Sequence, residues 1–289
     1  MPHPTTFSIV AVDQATAEIG VAVASKFLAV GAVVPWIRAG CGAIATQAFA
    51  NTAFGPRALA LLDAGASVQD VAGRLLAGDP GREERQFGLV AANGTSVSFT
   101  GAACISYAAG TSGDDFAAQG NCLASAAVVE ALATTFRRSQ GALCDRLLAA
   151  LSAADAAGGD KRGRQSAALA IEKAQGGYAG FNDRYVDLRV DDAVRPIAEL
   201  ERLLALHKLY NFLPDAGDLL DVDERMAAEL ASHLRRVGAL PQDAMAFDER
   251  AREALVAVMH VENLENRVRS DGRIDRQTRD YLAAMPSRS

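Results

Sequence analysis

The sequence contains few of the residues that build metal centres and disulfide frameworks. Its 289 residues include four cysteines and four histidines, and no two cysteines form a C-x-x-C pair. This scarcity argues against a zinc site. We expect no metal and no cofactor, because no nucleotide-binding loop or cofactor-lysine motif is present either. The cysteines are interpreted as buried thiols of a reducing compartment.

Long apolar runs and an excess of positive charge are also missing. The formal net charge is −6, which argues against a nucleic-acid-binding surface. No window approaches the roughly 18 apolar residues of a membrane helix, so no membrane contact is expected. The apolar stretch 7–12 is too short for a signal peptide and ends at Asp13. We therefore expect a cytoplasmic protein.

The sequence does contain many apolar residues, arranged in short segments. Hydrophobic residues make up 50% of the chain, enough to fill one large domain and a small one. Short runs rich in Val, Ile and Ala predict strands, and apolar positions at helical spacing predict helices. The predicted strands are 6–12, 19–25, 30–37, 42–48, 86–92, 95–100, 101–107, 165–173 and 184–190. The predicted helices are 55–65, 67–77, 122–138, 141–157 and 196–212.

The order of these elements indicates the fold class. Neighbouring strands are joined by short turns, of which Asn93-Gly94 is a strong hairpin signal, and the helices come in pairs. This order is typical of an α+β sandwich with sheets inside and helices outside. Beyond a linker at Pro214–Asp218 the chain is charged and helical. We therefore predict one domain over 1–213 and a small three-helix domain over 214–289.

Polar residues stand at the ends of three predicted strands. Thr6 opens the first strand, Ser25 and Lys26 end the second, and Thr46 and Gln47 end a later one. A hairpin of the first two strands would bring Lys26 close to Thr6. Two plainer interpretations stay open: Thr6 is also a good β-former at a strand start, and Lys26 also suits a solvated strand end.

Six segments of the chain are distinctive in composition and order. They are 6–11 (TFSIVA), 23–27 (VASKF), 45–48 (ATQA), 116–121 (FAAQGN), 158–168 (GGDKRGRQSAA) and 186–192 (VDLRVDD). Together they resemble one bacterial and archaeal family, the domain of unknown function 1028. The resemblance covers residues 5–213 and implies a four-layer αββα sandwich like that of N-terminal-nucleophile hydrolases.

The tail resembles a second known module. Segments 254–255, 262–267 and 274–275 are similar to a peptidoglycan-binding module that some members of the family carry. This likeness implies a cell-wall fragment as a possible partner of residues 214–289. A contact within the chain or between copies of it is the open alternative.

The chain also differs from the family pattern. Members usually begin Met-Thr-Phe-Ser-Ile, so that removal of Met exposes the threonine, whereas here Pro2–Thr5 precede Thr6. Members often have histidine where this chain has Gly110 and Ala193. An amide nitrogen is not a base, so Thr6 can act as an N-terminal nucleophile only after the bond between Thr5 and Thr6 is cut.

The strand-end residues form a catalytic hypothesis. The base for the Thr6 hydroxyl would be its own α-amine, whose ordinary pKa is about 7.7–8.0. Lys26 would keep that amine neutral and lower the pKa of the hydroxyl, and Ser25 would relay a proton. The fold implied by the resemblance places a turn at Thr46-Gln47, where a backbone amide would face the oxyanion. The predicted catalytic residues are therefore Thr6, Ser25, Lys26 and Gln47.

A second group of residues is predicted to hold the substrate. Asn51, Gln119 and Asn121 are candidates for orienting an amide or carboxylate. The loop 158–166 adds Asp160, Arg162 and Arg164, whose guanidinium groups suit a carboxylate or phosphate. Alternatively, the polar residues of this loop form a solvated turn, and Asn121 is the N-cap of the following helix.

Three functions remain open from the sequence. The first is an amidohydrolase that acts on a small amide or peptide bond with Thr6 as nucleophile. The second is a non-enzymatic protein that binds a small anion or peptide through Arg162, Arg164, Gln119 and Asn121. The third uses Ser25 as the nucleophile with Lys26 as its base. A flat, Ala-rich sandwich also predicts a homo-oligomer.

Overall fold

Short apolar strands form two antiparallel sheets in the first of the two units into which the chain divides, Met1–Leu203 and Leu204–Ser289. The computed structural model describes residues 5–244 and 246–287. The strands of the first unit are β1 (Thr6–Asp13), β2 (Glu18–Ser25), β3 (Pro35–Arg38), β4 (Gly42–Ala48), β5 (Arg85–Ala91), β6 (Ser96–Thr100), β7 (Ala109–Gly113), β8 (Phe116–Gly120), β9 (Ser166–Glu172) and β10 (Arg184–Val190). One sheet has the order β10-β9-β2-β1-β8-β7, and the other has the order β3-β4-β5-β6.

Helices cover the outer face of each sheet. The helices up to residue 211 are α1 (Phe54–Asp63), α2 (Val68–Ala77), α3 (Ala127–Arg138), α4 (Leu143–Ala156) and α5 (Pro196–Asn211). The pair α1 and α2 packs on the four-stranded sheet, and the pair α3 and α4 packs on the six-stranded sheet. The two sheets pack against each other. The predicted α+β sandwich, with sheets inside and helices outside, is confirmed, and its kinship with N-terminal-nucleophile hydrolases stays a prediction.

The core between the sheets explains why the first two strands are apolar along almost their whole length. Both faces of β1 and β2 are covered, and nearly every residue of the two strands is buried. Alternate residues of β1, among them Val10 and Val12, contact Ala43, Ala45 and Val90 of the facing sheet. The same alternation aims Thr6 and Ser8 into the space between the sheets.

Two stretches of the N-terminal unit differ from the sequence-based prediction. The predicted strand 30–37 is a 3-10 turn at Val30–Ala32 followed by β3. The predicted strand 101–107 is an irregular and mostly exposed loop, and the strands β7 and β8 follow it. Segment 101–107 is rich in apolar residues, whereas β7 consists of Ala, Gly, Thr and Ser. Local propensity therefore points to the wrong segment, and the pairing of β7 with β8 and of β8 with β1 decides the outcome.

The second unit contains the three predicted helices and a small sheet. Its helices are α6 (Glu224–Arg236), α7 (Glu249–Val261) and α8 (Arg276–Ala284), and the strands β11 (Leu219–Asp221) and β12 (Arg273–Asp275) pair antiparallel. The predicted positions Leu230, Leu234 and Val258 are buried in its core together with Leu282. The domain boundary predicted at residue 213 stays a prediction, because α5 crosses the division between the units.

A buried ion pair connects the end of α5 to α8 within the second unit. Arg267 lies 2.6 Å from Asp275, and both side chains are 1% exposed. The guanidinium also donates to the carbonyls of Lys208, Leu209 and Phe212, at and just beyond the end of α5. Asp275 in turn caps α8 by accepting from Thr278. One guanidinium thus satisfies polar groups that would otherwise be buried unpaired.

Replacement of this arginine by a similarly long apolar residue is expected to open the second unit. In Arg267→Met, Asp275 is left as an uncompensated buried charge, which costs about 3–5 kcal/mol. Hydrogen exchange of peptides from 204–287 measures that loss as local opening. The exposed Arg252→Met is the matched control and should change exchange by less than about 0.5 kcal/mol. Equal protection in both variants would contradict this account of Arg267.

Candidate active site

The site is built around the hairpin of β1 and β2, in which Thr6 lies opposite Ser25. Both residues are buried, with exposed fractions of 0% and 2%. The Thr6 hydroxyl donates to Ser25 Oγ at 3.3 Å. The Ser25 hydroxyl donates to the carbonyl oxygen of Thr5 at 2.6 Å. The two hydroxyls therefore form a chain that runs from the Thr6 side chain to the peptide bond preceding Thr6.

The Thr5 carbonyl oxygen accepts hydrogen bonds from two side chains of the site. Besides Ser25, Arg162 donates to it through Nη2 at 3.1 Å. This carbonyl belongs to the peptide bond that joins Thr5 to Thr6. If a nucleophile attacks that bond, negative charge develops on an oxygen that already has one neutral and one cationic donor. Such donors stabilise an oxyanion without reorganising.

Asp160 positions the arginine. Its carboxylate is 1% exposed and accepts from Arg162 at 2.7 and 3.0 Å. It also accepts from the Thr5 hydroxyl at 3.4 Å and from the backbone N–H of Lys26 at 3.1 Å. The hydrogen bonds that Arg162 donates to Asp160 raise the pKa of the guanidinium, so the group stays cationic. A solvated turn, the plainer interpretation of this loop, does not describe a buried carboxylate with these partners.

Two glycines bring this loop to the hairpin. Gly158 and Gly159 follow α4 with φ of 117° and 52°, a left-handed region that glycine adopts without a Cβ clash. The chain therefore reverses immediately after the helix. Asp160 then forms an isolated bridge with Leu123, at the end of the β8 strand that pairs with β1.

A buried network of amide side chains holds the backbone carbonyl of Thr6. The Thr6 carbonyl accepts from Gln47 Nε2 at 3.2 Å and from the Asn121 backbone N–H at 3.0 Å. Gln86 Oε1 accepts from both Gln47 and Asn121, at 2.8 and 2.9 Å. Ser8 donates to Gln47 Oε1 at 2.6 Å. These groups fix the Thr6 backbone from the inter-sheet side.

Gln119 is joined to this network through Ser8, to whose Oγ its Nε2 donates at 2.7 Å. Ser8 and Gln86 are absent from the sequence-based prediction. Ser8 lies two residues after Thr6 in β1 and therefore on the same face of the strand, so the alternation of the sequence could have predicted its place in the site. Gln86 faces Gln47 only because β4 and β5 pair in this register, which no local pattern reveals.

Some predicted site residues take other positions. Thr46 and Gln47 lie within strand β4 rather than in a turn, and it is the Gln47 side chain that donates to Thr6. Lys26 is exposed, and its contact with the site is through its backbone. Arg164 is paired with Asp155 at 2.7 Å. Asn121 is not a helix N-cap, because α3 begins six residues later.

Asn51 belongs to a neighbouring cluster around Asp79. The Asp79 carboxylate accepts from Asn51 at 3.0 Å and from Arg85 at 2.8 and 3.1 Å. Arg85 also donates to the carbonyl of Phe49 at 2.7 Å, which anchors the loop after β4. The hydrogen bonds from Arg85 hold the pKa of Asp79 well below its ordinary value.

Removal of this carboxylate is expected to destabilise the fold in a pH-dependent way. Asp79→Asn leaves Arg85 unpaired in a mostly buried setting, at a cost of about 3 kcal/mol near pH 7. Because the folded pKa is lowered, the wild-type advantage is present above the unfolded pKa of about 3.9 and is lost as the pH falls toward the folded value. Urea unfolding at pH 7 and pH 3 measures both. The exposed Asp63→Asn is the control, and an unchanged difference at pH 3 would contradict this account.

A cavity of about 180 Å³ lies beside Thr5. Its apolar wall consists of Ala48, Phe49, Ala103 and Ile105. Phe49 and Ile105 are 38% and 46% exposed and form part of an apolar surface at its mouth. The cavity therefore has an apolar wall next to Thr5, the residue whose carbonyl accepts from Ser25 and Arg162.

The polar wall of the cavity consists of Thr5, Glu84, Cys104 and Asn121. Asn121 is fully buried, and its side-chain oxygen accepts no hydrogen bond in the described part of the chain. Burial raises the pKa of the Cys104 thiol, which donates to the Arg85 carbonyl. All four cysteines are free; Cys122 and Cys144 are buried as predicted, whereas Cys41 and Cys104 are only partly buried.

Across 5–244 and 246–287 there is no group of three or more His, Cys, Asp or Glu side chains that could hold a metal ion. In the same ranges no helix combines the length and the apolar character that a membrane crossing requires. The residues Pro2–Pro4, which precede Thr5 in the sequence, lie outside the described residues.

Comparisons with known proteins find relatives for both units. A model described as a family of unknown function, DUF1028, matches residues 6–200. A model described as "Putative peptidoglycan binding domain" matches residues 215–282. The crystal structure of protein SPO2555 from Silicibacter pomeroyi, also described as DUF1028, is 31% identical. The match covers 74% of this chain and 89% of that one, with a TM-score of 0.65. A search of curated proteins finds no match.

Proposed function

The chain belongs to the DUF1028 family of unknown function, and we propose that it hydrolyses small amide or peptide bonds with the Thr6 hydroxyl as nucleophile. The observation that carries this proposal is the pair of donors on the Thr5 carbonyl, next to the hydroxyl chain from Thr6 to Ser25. A threonine amine becomes available only when the Thr5–Thr6 bond is broken. The proposal therefore includes cleavage of that bond by the chain itself.

The contacts support a balanced route for the cleavage. Thr6 Oγ1 attacks the Thr5 carbonyl carbon while its proton passes to Ser25 Oγ, and Ser25 gives its own proton to the Thr5 oxygen. Arg162 stabilises that oxygen as charge builds. The C–N bond then breaks as the Thr6 nitrogen takes up the proton that Ser25 gave to the Thr5 oxygen. An ester now joins Thr5 to Thr6 Oγ1. Water hydrolyses the ester, which releases the Thr5 carboxylate and a free Thr6 amine.

The same groups would then serve the substrate. The Thr6 amine, with an ordinary pKa of about 7.7–8.0, takes the hydroxyl proton and delivers it to the leaving amine. The substrate carbonyl occupies the former position of the Thr5 carbonyl, between Ser25 and Arg162. In this proposal Gln47, Gln119 and Asn121 position the Thr6 backbone, and Asp160 positions Arg162.

The alternative functions have weaker support. Arg162 and Arg164, the proposed anion ligands, are each paired with an aspartate. A bound anion would have to compete with those carboxylates. A Ser25 nucleophile with Lys26 as base needs contact between the two side chains, and Lys26 is exposed while Ser25 donates to the Thr5 carbonyl.

Turnover of a library of dipeptides and aminoacyl amides tests the proposal. The wild-type chain should release amine from at least one member, and Thr6→Ala should release none from it. Thr6→Ser keeps a hydroxyl and should retain measurable activity. Equal release by wild type and Thr6→Ala would assign the activity elsewhere, and turnover lost in Ser25→Ala but kept in Thr6→Ala would favour the Ser25 hypothesis.

For the second unit we propose binding of a cell-wall fragment, on the basis of the match over 215–282. Co-sedimentation of the full chain with insoluble peptidoglycan tests it, with chitin as a glycan that lacks stem peptides. Full recovery of the chain in both supernatants would contradict it. The cytoplasmic location, the homo-oligomer and the boundary at residue 213 stay predictions.

A further inference from the structure

We infer that β10 pairs with the same strand of a second copy of this chain, antiparallel and about a two-fold axis at Leu188. The inference is independent of the proposed function, because no residue of the candidate active site lies in β10. It gives the predicted homo-oligomer a surface and a register, which neither the family description nor the fold provides.

The outer edge of β10 is open to a further strand. β10 is the last strand of the six-stranded sheet, and among the described residues 5–244 and 246–287 only β9 pairs with it. Asp187 and Arg189 are exposed and line a cavity of about 350 Å³, which Pro35 and Trp36 of β3 also line. The backbone N–H and C=O groups along the edge of a sheet can form hydrogen bonds with an added strand.

The residues of β10 are arranged symmetrically about Leu188. The stretch Val186–Val190 (VDLRV) pairs with β9 without interruption, so its side chains alternate between the two faces of the sheet. Asp187 and Arg189 lie on one face, and the two valines and Leu188 lie on the other. Directly opposed side chains of paired strands share a face. A two-fold axis at Leu188 therefore sets Asp187 opposite Arg189 of the second copy, and Arg189 opposite its Asp187.

Other registers lack this complementarity. A centre at either neighbouring charged residue would set that residue opposite its own copy, and like charges directly opposite each other destabilise a strand pair. A centre two residues from Leu188 would bring the leucine to the charged Arg184 or Asp192. The sequence thus favours one register, since a shift by one or two residues loses the matched pairs.

The charges of β10 can exchange partners at little cost. Asp187 lies 3.2 Å from Arg184 and 3.7 Å from Arg189 of its own strand. All three side chains are partly or largely exposed, and exposed ion pairs contribute little to stability. Charges on an edge strand usually discourage pairing with unrelated strands. Here the same charges favour one partner, an identical strand in reverse direction.

Exposed apolar residues flank β10 at both ends. Tyr178 and Phe181, 84% and 87% exposed, lie in the loop before the strand, and Val194, 88% exposed, follows it. The loop is ordered by hydrogen bonds, such as that from the Phe181 N–H to the Tyr178 carbonyl at 3.1 Å. The two-fold axis reverses the second strand, so the Phe181 end of one copy lies beside the Val194 end of the other. Exposed apolar side chains at a contact of this kind are typical of an interface.

Charge reversal tests the contact, with the mass of the full-length chain measured by analytical ultracentrifugation. The wild-type chain should have at least twice the 30.2 kDa of one chain. Arg189→Asp and Asp187→Arg should each halve the wild-type mass, because each sets like charges opposite each other. Arg57→Asp makes the same change on the exposed face of α1 and should leave the mass unchanged. A monomeric wild type, or reversal variants that keep the wild-type mass, would overturn the inference.

Mixing the two reversal variants tests the register and separates dissociation from misfolding. When Leu188 is the centre, both charged positions of one variant are positive and both of the other are negative, so the variants complement each other. An equimolar mixture should therefore regain the wild-type mass. The double variant Asp187→Arg/Arg189→Asp should regain it alone, because its charges are again complementary to those of its own copy. Failure of both to regain the mass would overturn the pairing about Leu188.

Discussion

Thr6→Ala is expected to leave the Thr5–Thr6 bond uncut and to abolish amide hydrolysis. The variant removes the attacking oxygen of both reactions, and loss of a catalytic nucleophile reduces rates by at least about 10⁴-fold. The fold should persist, because the Thr6 carbonyl still accepts from Gln47 and Asn121. Mass spectrometry of the purified chain measures cleavage, and the amide library measures turnover.

Two comparison variants make the Thr6 result specific. Thr6→Ser retains a hydroxyl at the same position and should cleave itself more slowly than wild type but completely. Thr52→Ala removes an exposed threonine just before α1 and should behave as wild type. Full cleavage of Thr6→Ala would show that another nucleophile or a contaminating protease cuts the chain, and would end this account of Thr6.

Ser25→Ala is expected to slow self-cleavage by about 10²–10³-fold, the usual effect of removing one oxyanion donor. Ser25 both receives the proton of the Thr6 hydroxyl and donates to the Thr5 carbonyl at 2.6 Å. The variant leaves Arg162 as the remaining side-chain donor to that oxygen. The rate is followed as the decay of full-length chain during cell-free synthesis, by mass spectrometry at successive times.

A folded control separates this chemical effect from misfolding. Ser112→Ala removes an exposed serine of β7 and should cleave at the wild-type rate. Thermal unfolding of Ser25→Ala should show one native-like transition, since the change deletes one hydroxyl and keeps the strand pairing of β1 and β2. A wild-type cleavage rate in Ser25→Ala would contradict the proton relay and leave Arg162 as the sole support for the oxyanion.

Much of the fold can be predicted from the sequence because it rests on local signals. The apolar runs of β1 and β2 end at charged or polar residues, and Ser67 caps α2 by accepting from the Asp70 backbone N–H. The prediction fails at β7 and β8, and the Gly, Ala, Thr and Ser residues of β7 carry no strand signal. β7 forms because it pairs with β8, and β8 pairs with β1, which is a tertiary cause.

Some contacts of the candidate site can likewise be predicted from local sequence pattern, and others depend on parts of the chain that are distant in sequence. The pairing of Thr6 with Ser25 follows from two consecutive strands joined by a short turn, and alternation then places Ser8 on the face of Thr6. The contact between Thr5 and Arg162 spans 157 residues of chain. It depends on the glycine turn after α4, so the sequence suggests Arg162 as a ligand for substrate rather than as a donor to the chain itself. Lys26, the cation nearest in sequence, has its side chain at the exposed surface.

The most direct test of the central claim is the N-terminal residue of the purified wild-type protein, determined by N-terminal sequencing together with intact mass. This account predicts a chain that starts at Thr6, formed without added protease and absent in Thr6→Ala. A mature chain in which the Thr5–Thr6 bond is intact would contradict it.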